Sequence, residues 1–373
     1  MAPRAPRVDN EPVPESDRSG DLPHPREQSR LIGHRDAATS LAKAARSGQL
    51  HHAWLVSGPK GVGKATLAWR FARSLLAHGP ANCPEDLHLD PKHAVFRQVA
   101  SLTHPDVALV RRPWDADKKR FKTELPIDEV RRLRGFFSTH STYGGMKVAI
   151  VDCMDDMNTQ SQNALLKILE EPPKASMLLL LTHAPGLLLP TTRSRCRSLQ
   201  LRKLADEDMG MALSSLCPEL SPSEAEVLLA VSDGAPGCAA FLASARAVPL
   251  YQDLLAVLAQ LPTMNLAAQI SISERLAKQP AETGIELFTT LMMLILQRMA
   301  RASSGTCKPL SIELRAFQAM GKCLPAAEWV DLWSGTHQQF LQADALNLDK
   351  KQFVLNVFYS IESALVRKAG AIA

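Results

Sequence analysis

The sequence predicts an α/β module with a parallel sheet, followed by a wholly helical region. Three observations support this fold class. Short apolar runs alternate with helical patterns up to Leu201. A glycine-rich loop that ends in Lys64 stands between the first apolar run and an amphipathic helix. After Leu201 the short runs stop, and the remaining apolar residues recur at helical spacing.

Five apolar runs supply the strands of the expected sheet. They are residues 53–58, 106–110, 147–152, 176–182 and 198–201. Because helical patterns separate the runs, we expect the strands to be parallel and covered by helices on both faces.

The overall composition is that of a globular protein, which excludes fibrous and largely disordered classes. The chain has 373 residues, of which 46% are apolar and 22% charged, and its net charge is only +5. This charge permits a nucleic-acid partner but disfavours a plain DNA-binding module. Seven cysteines without a C-x-x-C pair indicate free thiols in a reducing cytosol. The most apolar stretch, residues 291–296, is far short of a bilayer span, so we expect a soluble protein with no membrane partner.

The patterns divide the chain into four parts. Residues 1–27 are rich in proline and charge and lack an apolar period, so we expect a disordered tail there. The sheet and its helices fill residues 28–202, and three short helices follow over residues 203–248. Long helices fill residues 249–373.

The stretch GPKGVGKATL, residues 58–67, matches a phosphate-binding loop except at one position. The residues expected to surround phosphate with backbone N–H groups and positive charge are Gly58, Gly61, Gly63 and Lys64. The pattern then needs a hydroxyl to hold the magnesium ion that accompanies ATP, yet Ala65 stands there. Thr66 does not replace it, because one residue along a helix is a rotation of about 100°.

A second nucleotide-site residue, Asp152, ends the apolar run VAIVD. The usual next residue in active ATPases is a glutamate that polarises water, but Cys153, an uncharged thiol and a poor base, stands here. Asp155 and Asp156 are either capping residues of the turn, the interpretation we favour, or surrogate bases. Two catalytic groups, at the positions of Ala65 and Cys153, are therefore predicted to be lost.

Three stretches of the chain are specific in combination. They are GPKGVGKATL, VDCMDDMNTQSQNALLKILEEPP and THAPGLLLPTTRSRCRSLQL. The most specific feature is the S-R-C triplet of Ser194, Arg195 and Cys196. Together they resemble the delta-prime subunit family of bacterial DNA polymerase III clamp loaders, which are AAA+ proteins, over roughly residues 28–368. The resemblance implies a RecA-like P-loop module, a three-helix lid over residues 203–248 and an all-α collar over residues 249–373 that closes a ring.

The same resemblance implies a stator, a subunit whose own nucleotide site has decayed. Arg195 would act in trans, reaching into the ATP site of a neighbouring motor subunit to stabilise charge on the γ-phosphate. The chain would be a non-catalytic subunit of a DNA polymerase (nucleotidyltransferase) holoenzyme, without ATPase activity of its own. The alternative is an active AAA+ motor that holds magnesium through Thr66 or water and uses Asp155 as its base.

The implied partners are motor and wrench subunits of a hetero-pentameric ring in the bacterial cytoplasm, with DNA and the sliding clamp reached through the complex. No cofactor is required, although the loop at Lys64 is able to hold ATP or ADP without hydrolysis. Members of the family often carry a four-cysteine zinc module. Only Cys83 remains in that tract, so we expect no zinc and no other metal. The basic tract 111–122 fits a solvated loop better than a DNA contact.

Overall fold

The computed structural model describes residues 14–18, 22–118, 120–278, 281–346 and 349–372. These residues form two compact units, and the boundary between them lies after Leu204. The first unit carries the sheet. The second unit is wholly helical in its described part.

The first unit contains a five-stranded sheet and a separate two-stranded one. In chain order the strands are β1 (Ala53–Ser57), β2 (Val107–Val110), β3 (Trp114–Asp115), β4 (Arg120–Phe121), β5 (Lys147–Val151), β6 (Ser176–Thr182) and β7 (Arg197–Gln200). The larger sheet has the order β2-β5-β6-β1-β7, and its neighbouring strands are parallel. The parallel sheet predicted from the apolar runs is thus confirmed.

Helices cover both faces of this sheet. In chain order they are α1 (Arg35–Arg46), α2 (Lys64–His78), α3 (Ala94–Ala100), α4 (Ile127–Ser138), α5 (Thr159–Glu170) and α6 (Pro190–Ser194). Val130 of α4 and Leu165 of α5 share one buried cluster with Leu55, Ala149 and Leu178 of the strands. Helix α2 contacts β1, β5 and β6 but contributes no residue to that cluster, so it covers the opposite face.

The prediction of a disordered tail over residues 1–27 is wrong where the structure describes this segment. Two arginines of α2 bind the backbone at the end of this segment and directly after it. Arg73 donates to the carbonyl oxygens of Arg26 and Gln28, the latter at 2.6 Å. Arg70 donates to the carbonyl oxygen of Ser29 at 2.5 Å.

Buried charges hold the earlier part of the same segment. Arg111, directly after β2, pairs with Asp17 and with Glu15, the latter at 2.9 Å. Asp17 also lies 3.0 Å from His24, and the side chains of both residues are almost completely buried. Burial alone would raise the pKa of Asp17, but its hydrogen bond to His24 and the charge of Arg111 lower it. The sequence did not predict that this segment is ordered, because ion pairs leave no apolar period in a sequence.

In the described part of the second unit every element is a helix, as the sequence predicted. The helices are α7 (Asp206–Leu216), α8 (Pro222–Ser232), α9 (Pro236–Ser244), α10 (Ala247–Leu258), α11 (Leu266–Ala277), α12 (Ala281–Ser303), α13 (Leu314–Cys323), α14 (Ala326–Leu346) and α15 (Lys350–Ile372). The division of this unit into a lid and a collar stays a prediction. No single helix in the described ranges is long and apolar enough to cross a bilayer, whereas α9 and α10 meet those criteria only as a pair bent by 91°.

A buried charge network ties four parts of the second unit together. Glu313, just before α13, accepts hydrogen bonds from Arg298 of α12 at 2.6 and 2.8 Å, and from the hydroxyl of Tyr251 of α10. Arg298 also donates to the carbonyl oxygen of Ala230 of α8 at 2.7 Å. Glu313 has 0% exposure. Because breaking a buried ion pair leaves an uncompensated charge, this network restricts how the helices can pack.

We predict that Glu313→Gln lowers the free energy of unfolding by about 3 kcal/mol, because it leaves the buried guanidinium of Arg298 without its counter-charge. Denaturant unfolding followed by circular dichroism measures the change. Asp331→Asn, at an exposed position of α14, is the control and should stay within about 0.5 kcal/mol of the unmodified chain. Equal stability of the Glu313 variant and the unmodified chain would contradict the structural role of the network.

Candidate functional site

The phosphate loop, residues 58–64, connects the carboxyl end of β1 to α2 and has a shape that depends on glycine. Gly58 has a φ of +152°, and a Cβ there would lie 2.6 Å from the carbonyl oxygen of Leu201. Gly63 has a φ of +108° and is the N-cap of α2. A side chain at either position would strain the backbone. Because the loop directly follows β1, it lies at the carboxyl edge of the sheet, where open α/β sheets bind ligands.

The ammonium group of Lys64 binds the backbone of its own loop. Its Nζ donates to the carbonyl oxygens of Gly58 and Pro59, both at 2.8 Å, and the residue is only 5% exposed. Burial lowers its pKa to about 8, against the opposing effect of the Asp152 carboxylate. A phosphate group would have to compete with two carbonyl oxygens for this ammonium group.

Asp152 directly follows β5, and its backbone N–H donates to the carbonyl oxygen of Val110 at 2.9 Å. Burial raises the pKa of its carboxyl group to about 7, the charge of Asp17 adds to this effect, and Lys64 opposes it. The buried carboxyl group therefore loses its proton less readily than an exposed aspartate does.

The two positions predicted to have lost catalytic groups lie next to these residues. Ala65 is in the first turn of α2, and its methyl group cannot coordinate a cation. Cys153 is 8% exposed, and burial together with the charges of Asp156 and Asp155 raises its thiol pKa far above the ordinary value. The thiol stays neutral and cannot take a proton from water. The loop and its surroundings thus fit a phosphate group but do not fit magnesium-assisted hydrolysis.

Asp155 binds the end of β6. Its Oδ1 accepts hydrogen bonds from Thr182 Oγ1 at 3.0 Å and the N–H of Ala184 at 2.9 Å. Its Oδ2 accepts from the N–H of His183 at 2.8 Å and lies 3.1 Å from His183 Nδ1. Burial alone would raise the pKa of Asp155, but the hydrogen bonds from His183 and Ala184 outweigh burial and lower it. Such a stabilised anion is a poor base, so Asp155 caps the strand end.

Sequence reasoning did not single out Thr182 and His183. They stand at the end of the apolar run that forms β6, and β6 lies beside β5 in the sheet. The carboxyl ends of parallel strands meet at one edge of a sheet. The adjacency of β5 and β6 was therefore the signal that could have placed these two residues near Asp155. The other acid of the turn, Asp156, pairs with Arg112 at 3.2 Å.

A group of metal-ligand types also converges here. Ligand atoms of Cys153, Asp155 and His183 lie within 4.8 Å of one another. Both oxygens of Asp155 already accept hydrogen bonds, which accounts for this convergence. Cys83, which the sequence analysis considered for zinc, is buried with its Sγ 3.2 Å from Ser74 Oγ.

The three residues of the S-R-C triplet face different surroundings. Ser194 Oγ donates to the carbonyl oxygen of Thr191 at 3.1 Å, at the end of α6. Cys196 packs against the buried cluster of the sheet, and burial raises the pKa of its thiol to about 12. The side chain of Arg195 remains 37% exposed, and its Nη2 lies 3.0 Å from Glu170 Oε1. Ser194 and Cys196 therefore hold the backbone in place, while the side chain of Arg195 between them stays partly exposed.

The sheet separates Arg195 from the phosphate loop of its own chain. Arg195 precedes Arg197, which pairs with Trp54 at the amino end of β1. The loop that contains Lys64 follows Ser57 at the carboxyl end of the same strand. The strand residues between these ends span about 10 Å. Arg195 and the phosphate loop thus lie at opposite edges of the sheet, and the structure does not bring them together.

A match to a protein-family model agrees with the resemblance found in the sequence. Residues 33–205 match a family model described as "DNA polymerase III, delta subunit". A gamma subunit-related protein of DNA polymerase III from Thermotoga maritima has a TM-score of 0.43 and 18% identity, with 89% of this chain and 99% of that chain covered.

Two curated relatives carry the name DNA polymerase III subunit delta-prime. The Pseudomonas aeruginosa protein is 38% identical over 190 residues, which are 50% of this chain and 53% of the relative. The Escherichia coli protein is 30% identical over 269 residues, which are 71% of this chain and 76% of the relative. The chain thus spans about half the length of the first relative and three quarters of the second. It belongs to the DNA polymerase III delta-prime subunit family.

Proposed function

We propose that this chain is a non-catalytic stator subunit of a DNA polymerase III clamp loader, which supports ATP-driven loading of a sliding clamp on DNA. One observation carries the proposal. Arg195 lies partly exposed at the edge of the sheet opposite its own phosphate loop, so it is unable to act on a nucleotide held by that loop. A permanently charged guanidinium in this position is suited to a phosphate held by another subunit.

The proposed partners follow from the family. The relatives bear the names of delta-prime, gamma and tau/gamma subunits. We accordingly assign this chain to a hetero-pentameric ring with motor and wrench subunits, in the bacterial cytoplasm. Contact with DNA and with the sliding clamp would be made through that complex.

The site at Lys64 supports a passive role. Its glycines suit a phosphate group, so ATP or ADP is an acceptable ligand, yet no ligand is required for the proposed role. Ala65 offers no oxygen for magnesium, and the neutral thiol of Cys153 offers no base. The alternative, an active motor with Asp155 as base, is weakened because both oxygens of that carboxylate already accept hydrogen bonds.

We predict that the isolated chain does not hydrolyse ATP. Phosphate release is measured over a range of subunit concentrations, with Lys64→Ala as the control for contaminating activity. Release that rises with the concentration of the chain and disappears in the Lys64 variant would overturn the non-catalytic assignment and favour the motor alternative.

We predict that Arg195→Ala leaves assembly intact but lowers ATP turnover of the reconstituted complex. An arginine supplied in trans contributes about 10³-fold or more to phosphoryl transfer, so the neighbouring site should lose nearly all of its share of turnover. Arg195→Lys should restore only part of that share, because an ammonium group lacks the planar fork of a guanidinium.

Arg193→Ala is the matched control for this measurement, since Arg193 is an exposed arginine of α6, two residues before Arg195. It should leave turnover unchanged. Gel filtration checks that each variant still assembles. Unchanged turnover in an assembled Arg195→Ala complex would remove the role in trans.

A further inference from the structure

Arg195 is held by its own chain on two sides. Its Nη2 lies 3.0 Å from Oε1 of Glu170, the last residue of α5. Its Nη1 donates to the carbonyl oxygen of Thr191 in α6 at 3.0 Å. The two contacts come from different helices. Together they hold the guanidinium group in one orientation.

This pose uses the end of the guanidinium that a phosphate would bind. Arginine recognises phosphate through paired N–H groups at the edge of its planar fork. In the structure both terminal nitrogens, Nη1 and Nη2, already donate within the chain. Each of these nitrogens carries a second N–H group, so a phosphate at this edge competes with Glu170 for the charge of the guanidinium and for its orientation.

Glu170 is the charged member of the two partners, and it is accessible. Its side chain is 48% exposed and that of Arg195 is 37% exposed, so the ion pair stands in solvent at the surface. Exposed ion pairs are weak and are readily exchanged for a stronger anion. A γ-phosphate with its greater charge is such an anion, whereas another solvent-exposed carboxylate is not.

We propose that Glu170 is a positioning residue that holds Arg195 in a resting pose and competes with the triphosphate of the neighbouring subunit for it. This inference rests on the proposed function. Where no γ-phosphate is present next to it, Arg195 stays with Glu170. Where a γ-phosphate is present, the guanidinium transfers from the carboxylate to the phosphate, and the ion pair is broken as part of ATP binding by the complex.

The competition has a measurable consequence for ATP affinity. Each ATP that binds at the neighbouring site must displace Glu170 from Arg195. The apparent free energy of ATP binding is therefore less favourable by the free energy of one exposed ion pair. By linkage, a variant without that carboxylate charge binds ATP more tightly at that site. Once Arg195 has been transferred, Glu170 no longer touches it, so maximal turnover should not change.

Glu170→Gln in the fully assembled complex tests the proposal, because glutamine keeps the size of the side chain and removes its charge. The ATP concentration for half-maximal turnover should fall by about two- to fivefold, the range expected for one exposed ion pair. The maximal rate should stay the same. Glu171→Gln, at the next position of the chain, is the matched control and should change neither quantity.

The same substitution in an Arg195→Ala chain completes a double-mutant cycle. Because Arg195→Ala removes most turnover at the neighbouring site, this arm of the cycle is read as the affinity of the complex for a non-hydrolysable ATP analogue. If Glu170 acts only through Arg195, Glu170→Gln leaves that affinity unchanged in this background. An unchanged half-maximal ATP concentration in the single variant would overturn the proposal. So would a fall in maximal rate, because it would mean that Glu170 supports the engaged pose of Arg195 and does not compete for it.

The cycle also separates this inference from the function on which it rests. If Arg195→Ala lowers turnover while Glu170→Gln behaves like the unmodified chain, the trans role stands and the competition is wrong. If Arg195→Ala leaves turnover unchanged, both the trans role and the competition are wrong.

Discussion

The parallel pairing of β1 with β7 is the constraint on which the account depends. It places the amino ends of both strands at one edge of the sheet and the phosphate loop at the other. Lys64 and Arg195 belong to one module, yet the sheet itself prevents them from serving one nucleotide. Under the proposed function, this geometry suits a ring in which the arginine of one module meets a phosphate held by its neighbour.

The groups at the carboxyl edge have largely become part of the fold. The ammonium group of Lys64 is bound by loop carbonyl oxygens, and Asp155 joins the turn after β5 to the end of β6. Burial raises the pKa of Asp152 well above that of an exposed aspartate. Each of these groups would have to give up a partner or gain a charge to work on ATP. Arg195 differs from them because it stays partly exposed, and its charged partner Glu170 is exposed as well.

The sequence predicted the sheet because apolar runs separated by helical patterns leave few other arrangements, and it predicted the loop because its glycines require that shape. It pointed to Arg195 only through a resemblance, since a lone arginine between serine and cysteine has no pattern of its own. It failed at residues 14–18 and 22–27, where ion pairs with buried members hold a segment that has no apolar period. It also missed His183 and Glu170, because contacts between distant residues depend on the order of strands in the sheet.

The most direct measurement is a structure of the assembled complex with a non-hydrolysable ATP analogue in the motor subunits. We expect the guanidinium of Arg195 to lie about 3 Å from a γ-phosphate oxygen of the adjacent subunit, with Glu170 released. Arg195 facing bulk water, with every neighbouring triphosphate out of its reach, would contradict the central claim.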